Sequence, residues 1–339
     1  METWSFDTLL LVFGGGIVGA AFGGLWSVIM CAGLVVLGSA IVFAGGPDYL
    51  LMQVALGPVF GPHVGGFAAG LAAAAYAAGV RNNHPGGSAK DILSPLIGTS
   101  WDVMAMGGIF SLAGHALLQL VVLIPILNKA DGVAVAVIVS SMVSRLLFFR
   151  EAPWGSRESI KKIGYFNTDN YAISWAPWQA APSRHTVVGL GMGLIAGALA
   201  LGLKAALAPL AATGAVSPAA AFVIPYIMGW VLAILSLIPL NLATGTVQQV
   251  PVAHAMAIFG SLTALHTGSI VLAGIAGILG ALIQELLARM FYNHGSTHID
   301  PPAFAILVGT MVLNLSSDII GVLGLPVPDC SGFHYYKIN

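Results

Sequence analysis

Long apolar blocks separated by a few short polar stretches organise this chain. A helix rising 1.5 Å per residue needs about 20 apolar residues to span a bilayer. Thr8 to Gly46 is about 39 residues, roughly 58 Å as a single helix. It predicts two spans with a turn near Gly23-Gly24-Leu25-Trp26-Ser27. Leu50 to Val80 is about 31 residues, interrupted by "GPVFGPHVGG". Pro58 and Pro62 each remove a backbone donor and the glycines weaken the helix, so a membrane-entering half-helix followed by a full helix is expected. Pro251 to Leu287 has the same excess length, broken around "FGSLTALHTGS". Plainer spans fall near Trp101–Leu127, Gly132–Phe149, Val187–Ala212, Ala219–Leu242 and Pro301–Leu325, with 92–99 as a short entering piece. The pattern predicts an all-α polytopic membrane protein of about nine transmembrane helices plus two re-entrant or broken helices.

Composition sharpens this reading. Hydrophobic residues are 58% and charged residues 7% of 339, too few charges to cover a water-soluble surface. The net charge of −1 leaves no basic patch for nucleic acid. Cys31 and Cys330 form neither a disulfide framework nor a zinc-site spacing. The N-terminus "METWSFDTLL" lacks the basic region of a cleaved signal peptide, so the first apolar segment is expected to be retained.

The basic residues set the orientation. Arg81 and Lys90 lie in one loop, and Arg145, Arg150, Arg157, Lys161, Lys162 and Arg184 lie in or beside 150–185. The positive-inside rule makes that side cytoplasmic, in a bacterial-type inner membrane. Segment 150–185 mixes these with Trp154, Tyr165, Phe166, Tyr171, Trp175 and Trp178. It reads as a piece lying along the headgroups or as a docking surface for a partner. The expected units are 1–149, the interfacial loop 150–185, a second transmembrane unit 186–325, and a tail 326–339.

Two polar stretches echo each other, "RNNHPGGSAKDILSPLIGTS" at 81–100 and "FYNHGSTHIDPPAFAILVGT" at 291–310. The order Trp26, Gly45, His63, Asn83-His84, Gly98-Thr99 recurs as Trp230, Gly245, His266, Asn293-His294, Gly309-Thr310, at offsets of 200 to 211 residues. This points to an internal duplication. An odd number of crossings, about five, between the two Asn-His loops would place them on opposite faces and make the repeats inverted.

Candidate chemistry follows from polar residues at membrane depth. His63 and His266 fall inside the two expected breaks, where each binds a proton or donates to a solute, or else caps a broken helix. Gly57, Pro58, Gly61, Gly65, Gly66, Gly260, Gly268 and Ser269 would let backbone approach a solute. Ser111, His115 and Gln119 share a helix face that lines a pathway or joins two helices. Asp318, below Asn314, is the candidate coupling carboxylate for H⁺ or Na⁺, and Asp102 is a second. Glu285 and Arg289 have ion-pair spacing. "HGSTHID" offers His294, His298 and Asp300 as metal ligands, although Gly295 and Pro301-Pro302 favour a loop with Asp300 as N-cap. "THIDPPAFAILVGT" resembles the His-Pro-Pro stretch of the HPP family of membrane proteins over these 14 residues, with Ile-Asp between His298 and Pro301; no function is carried over from it.

The expectation is a secondary transporter, or permease, moving a small polar solute or ion by alternating access, with no cofactor and no enzymatic residue assigned. A passive channel, a metal-dependent intramembrane enzyme and a membrane subunit of a larger complex are the rivals, and the chain allows a homo-oligomer. With almost no Lys or Arg at membrane depth, a strongly anionic solute would need half-helix N-termini. Small organic acids, neutral solutes and monovalent ions remain.

Overall fold

A computed structural model describes residues 2–167, 173–242 and 249–322, the last three by backbone alone. Every regular element among the described residues is helical: α1 (Phe6–Phe22), α2 (Gly24–Phe43), α3 (Ala68–Tyr76), α4 (Trp101–Val121), α5 (Gly132–Phe149), α6 (Arg157–Ile163), α7 (Pro182–Ala212), α8 (Pro218–Leu235), α9 (Ile238–Asn241), α10 (His254–Thr267), α11 (Ile270–Leu287) and α12 (Pro301–Val322). Among the described residues seven helical stretches are long and apolar enough to cross a membrane. The fold is consistent with a multi-pass helical membrane protein. α1, at 17 residues, and α10, at 14, are shorter.

Local chemistry sets the boundaries. The turn expected near Gly23 is there: Gly23 has φ +85°, which separates α1 from α2. The expected short piece 92–99 folds into this corner, Leu25 N–H donating to Ile92 O (2.9 Å) and Leu96 N–H to Ala21 O (3.1 Å). The Asp131 carboxylate accepts from Ala134 N–H and caps α5 (3.0 Å). Asp300 does the same for α12 through Ala303 N–H (2.8 Å), with Pro301 opening the helix.

The segment 50–80 is broken as its prolines predict. A π turn (Leu50–Ala55) leads through irregular chain to α3, which ends in a second π turn (Ala77–Arg81). The segment 251–287 is interrupted inside the expected stretch, at Gly268-Ser269, but by a chain reversal and not by a mid-helix break at Gly260. It runs unbroken through Gly260 to the left-handed Gly268 (φ +68°), reverses, and restarts under a Ser269 cap. α10 and α11 form an antiparallel hairpin in which Gly280 meets Met256 and Phe259. Gly260 therefore sits mid-helix against Gly193, not in a break.

That hairpin corrects the reading of the polar echo. It returns the chain beside its own starting point, Gln284 Nε2 donating to Val252 O (3.0 Å). The loops then meet: His298 N–H donates to Ala89 O (3.1 Å) and Lys90 Nζ to Asn293 O (3.0 Å). They form one corner together, not one corner on each face.

Lipid offers no hydrophobic force to press helices together, so packing depends on backbones approaching closely at small residues. α1 meets α4 where Gly16 faces Gly107 and Ser111. α7 lays Gly189 and Gly193 on Gly277 of α11, and Gly193 on Gly260 of α10. Across the middle, α2 packs on α8 and α5 on α12.

Arg145, expected beside a basic loop, is fully buried (0% exposed). Its Nε donates to Thr297 Oγ1 (2.9 Å), Nη2 to Thr297 O (2.7 Å), and Nη1 to Phe291 O (2.7 Å) and Pro153 O. Glu151 lies 3.8 Å from Nε. The loop after α5 is thereby tied to the corner preceding α12. The described parts of segment 150–185, expected along the headgroups or as a docking surface, pack on the helical body: Tyr165 Oη donates to Met290 O (3.1 Å) and Trp178 Nε1 to Val250 O (2.9 Å). Tyr171, Gly245, Cys330 and the tail 326–339 lie outside the described residues.

Two outcomes follow for thermal melts in detergent. Gly193→Val and Gly277→Val, whose new carbons would lie 2.1–2.4 Å from carbonyl oxygens, should each destabilise by about 1–3 kcal/mol. Gly191→Val and Gly202→Val, with open space around them, should stay within about 0.5 kcal/mol. Arg145→Met should cost about 3–5 kcal/mol, since it strands three buried carbonyls and Glu151. A native-like melt of that variant would remove the guanidinium from its structural role.

Candidate functional site

A cavity of about 340 Å³ opens between the two halves of the chain, with walls from α2, α5, α8, α10 and α12 and from the loops at 90–93 and 175–178. Most of its surface is apolar or aromatic, including Phe67, Trp175, Trp178, Trp230 and Ile258. Into it converge a few polar groups: Lys90, Asp131, Tyr226, His254, Tyr292, His298 and Asp300. A largely apolar pocket with a small set of convergent polar groups is the usual form of a small-molecule site.

Three helix N-termini reach this cavity. Asp131, capping α5, is buried and accepts from Tyr226 Oη (2.9 Å), while its N–H donates to Thr310 Oγ1 (2.8 Å). Both partners lie partway along their helices, so α5 begins inside the protein. Asp300, capping α12, lies ten residues from Thr310, about 15 Å along the helix axis. Asp300 also has His298 Nε2 at 3.1 Å and His254 Nε2 at 3.9 Å. Burial opposes its charge, yet the two imidazoles hold its carboxyl below the usual carboxylate range. The third N-terminus belongs to α10, which has no side-chain cap. His254 opens it, mostly buried, with Nδ1 unpartnered.

Lys90 reaches the cavity from the loop before α4. Its Nζ lies over the Tyr292 ring (4.6 Å from the centroid) and donates to Asn293 O. Burial pushes its pKa down to about 8, helped by the nearby Arg145 charge and offset in part by Glu151. Among the described residues no carboxylate lies within 4 Å of its ammonium.

The candidates drawn from the sequence are placed mostly elsewhere. Gly57, Pro58, Gly61, Gly65 and Gly66 occupy the broken segment, but they carry its tight chain path and its contact with α1: Gly65 meets Gly15, and Gly66 meets Phe60 O. Only Pro62 and the flanking Leu56 and Phe67 reach the cavity wall. His63 is buried with its carbonyl against Gly114 of α4. His266 lies twelve residues along α10 from His254, about 18 Å away at the hairpin tip. Gly268 and Ser269 turn and cap that tip.

His115 holds the N-terminal segment, with Nε2 3.0 Å from Thr3 O and Trp4 against its ring. Ser111 packs on Gly16, and Gln119 is half-buried. Ser111 thus joins α4 to α1, and His115 holds the chain that precedes α1. Asp318 pairs with Lys129 (2.6 Å) on an exposed stretch of α12. Asp102 pairs with Arg81 and accepts from Tyr76 Oη (3.0 Å). Neither carboxylate faces the cavity. Glu285 and Arg289 form the expected pair (2.9 Å).

Of the three metal candidates, His298 and Asp300 meet at the cavity wall, while His294 turns away, its Nδ1 2.9 Å from Ser159 Oγ. Among the described residues no group of three such side chains has a metal-binding arrangement.

The residues missed in the sequence are Lys90, Asp131, Tyr226, His254 and Tyr292. Asp131 was legible as an N-cap signal before Gly132, and Tyr226 as a polar tip inside a span. Lys90 carried only the signal of a loop cation.

No curated relative and no solved structure matches the chain. A family model does match, over residues 1–155 and 164–327, and the chain therefore belongs to the family of unknown function DUF7973.

Proposed function

We propose that the protein is a carrier in a cytoplasmic-type membrane, moving a small solute through the central cavity by alternating access. The observation that carries this is a cavity of about 340 Å³ enclosed by elements from both halves of the chain. The packing supports an inverted relation between those halves. α1 runs alongside the 59–76 segment in the same sense and against α4; α7 runs with α10 and against α11. α2 on α8 and α5 on α12 are then the paired contacts across an approximate dyad. In this alignment α5, capped by Asp131, corresponds to α12, capped by Asp300. Five elements per half reverse the second half in the membrane.

Carriers of this kind place the site at the repeat interface near mid-depth, with interrupted helices pointing their N-termini inward. The N-termini of α5, α10 and α12 at the cavity fit that description. The basic segment 150–182 lies on the cytoplasmic side by the positive-inside rule. A hydrolytic or redox metal centre at His294, His298 and Asp300 is disfavoured because His294 engages Ser159 and the Tyr165 carbonyl instead.

Counterflow into liposomes containing the purified protein tests this reading with a panel of labelled small organic solutes. Saturable, trans-stimulated uptake is expected for at least one solute class. Flux that neither saturates nor responds to trans solute would assign a channel instead. Ala134→Trp and Ala303→Trp, which fill the cavity from α5 and α12, should abolish uptake while leaving a monodisperse, folded protein. Unchanged uptake in both would move the pathway away from this cavity.

A further inference from the structure

We infer that the cavity takes an apolar monocarboxylate, with its carboxylate held between the Lys90 ammonium and the uncapped N-terminus of α10 at His254, and its apolar body against the tryptophans. This inference rests on the carrier reading for its physiological meaning, but binding can be tested without transport.

The argument begins with what each polar group in the cavity lacks. Asp131 is satisfied by Tyr226 and Ala134, and Asp300 by His298 and Ala303. Neither carboxylate needs a ligand. Lys90 is different. Its ammonium has three donors and uses one on Asn293 O, and its ring contact with Tyr292 leaves the charge uncompensated by any acid within 4 Å. A half-buried cation in an apolar, aromatic setting is costly without an anion.

The second observation is independent. His254 is nine-tenths buried and lines the same cavity; its Nε2 faces Asp300 (3.9 Å) and its Nδ1 lacks a hydrogen-bond partner, able to donate when the ring carries both protons. It opens a 14-residue helix with no side-chain cap, whose first N–H groups favour negative charge. Lys90 and His254 are joined through one chain of contacts. Lys90 O is 3.4 Å from His298 Nδ1, and His298 and His254 flank Asp300.

The rest of the wall defines the remainder of the ligand. Trp175, Trp178 and Trp230 with Ile258 and Val28 present mainly ring and aliphatic surface beyond the headgroup, and the Trp178 N–H is already engaged by Val250 O. Asp131 and Asp300 on the same lining repel a second negative charge, so a dicarboxylate is excluded in favour of a monoanion.

Protonation follows with a definite sign. The charged and titratable neighbours of Lys90 are Arg145 of α5, Glu151 of the next loop, Asp91 beside it, and Tyr292, His298 and Asp300 across the corner. With its pKa pushed down to about 8 by burial, Lys90 loses its charge as pH rises through that value. Carboxylate affinity should fall accordingly, by up to about tenfold per pH unit above it. Titrating between pH 7.5 and 9.5 stays above the ordinary histidine range.

The test is binding to the full-length protein in detergent, read by thermal shift and by the fluorescence of the cavity tryptophans. Isovalerate and cyclohexanecarboxylate should bind; cyclohexanecarboxamide, cyclohexylmethylamine and cyclohexane-1,4-dicarboxylate should bind at least about tenfold more weakly. Palmitate run alongside separates a bilayer-derived fatty acid from a water-borne acid, since both carry the same chemistry. Lys90→Gln should weaken carboxylate binding by about tenfold or more. Lys90→Arg should keep it and flatten the pH profile. Equal binding of acid, amide and amine by the native protein overturns the proposal whether or not any variant folds. Carboxylate binding without trans-stimulated flux removes the carrier and leaves the site. Flux of an amine or neutral solute without carboxylate binding does the reverse.

Discussion

The corner that shapes the cavity hangs on one guanidinium. Arg145 is fully buried, so its planar fork must be satisfied by protein. It is satisfied by carbonyls at Pro153, Phe291 and Thr297 and by the Thr297 hydroxyl. Those acceptors lie on two segments distant in sequence, so neither can drift without stranding buried donors. The consequence reaches the cavity. Thr297 immediately precedes His298, which contacts Asp300, and Phe291 precedes the Tyr292 ring and Asn293 carbonyl that receive Lys90. The same constraint dictates a glycine at 295, where any side-chain carbon would enter the guanidinium.

Elsewhere the constraint is the bilayer itself. Helices in lipid gain nothing from hiding apolar surface from one another, so they associate where small residues allow backbone contact. The α1–α4 and α7–α10–α11 groups are built this way, glycine on glycine. The middle of the protein is lined instead by bulky residues such as Trp230, Tyr226 and Phe67. Two tightly seamed flanks around a coarse, aromatic centre leave a void between them. The cavity thus follows from where small residues are placed and where they are absent.

Class and punctuation were legible in the sequence because they depend on local chemistry. The length of 8–46 against bilayer thickness located the corner at Gly23, the prolines located the broken segment at 56–67, and Asp300-Pro301 announced a helix start. The interior was less legible, because period and length say how far a helix runs and not which neighbour it meets. Gly260 and Gly193 lie 67 residues apart in a composition full of glycine, and nothing local marks them as partners. The reversal at Gly268 was read as a break because a left-handed cap and a helix kink both present glycine with a small polar residue. That one ambiguity bears on the two Asn-His loops, which are in contact through His298 N–H to Ala89 O and Lys90 Nζ to Asn293 O.

Polar groups inside the fold differ in how far the sequence announces their surroundings. A histidine inside an apolar run attracts notice, yet His63 and His266 are packed into interhelical surroundings. A lysine in a polar loop attracts none, since loops are expected to face water. Lys90 belongs to a loop drawn inward by its backbone: His298 N–H binds Ala89 O, and Leu25 N–H binds Ile92 O. Two main-chain bonds flanking a residue fix where its side chain can go, whatever its solvation preference. Here they bring an ammonium to the wall of a cavity whose two carboxylates are already engaged by caps and ring nitrogens. The unspent charge at the centre is therefore positive, although the chain as a whole carries a net charge of −1. Groups left unmatched after folding set what a cavity can hold, and at this wall they include the spare donors of the Lys90 ammonium.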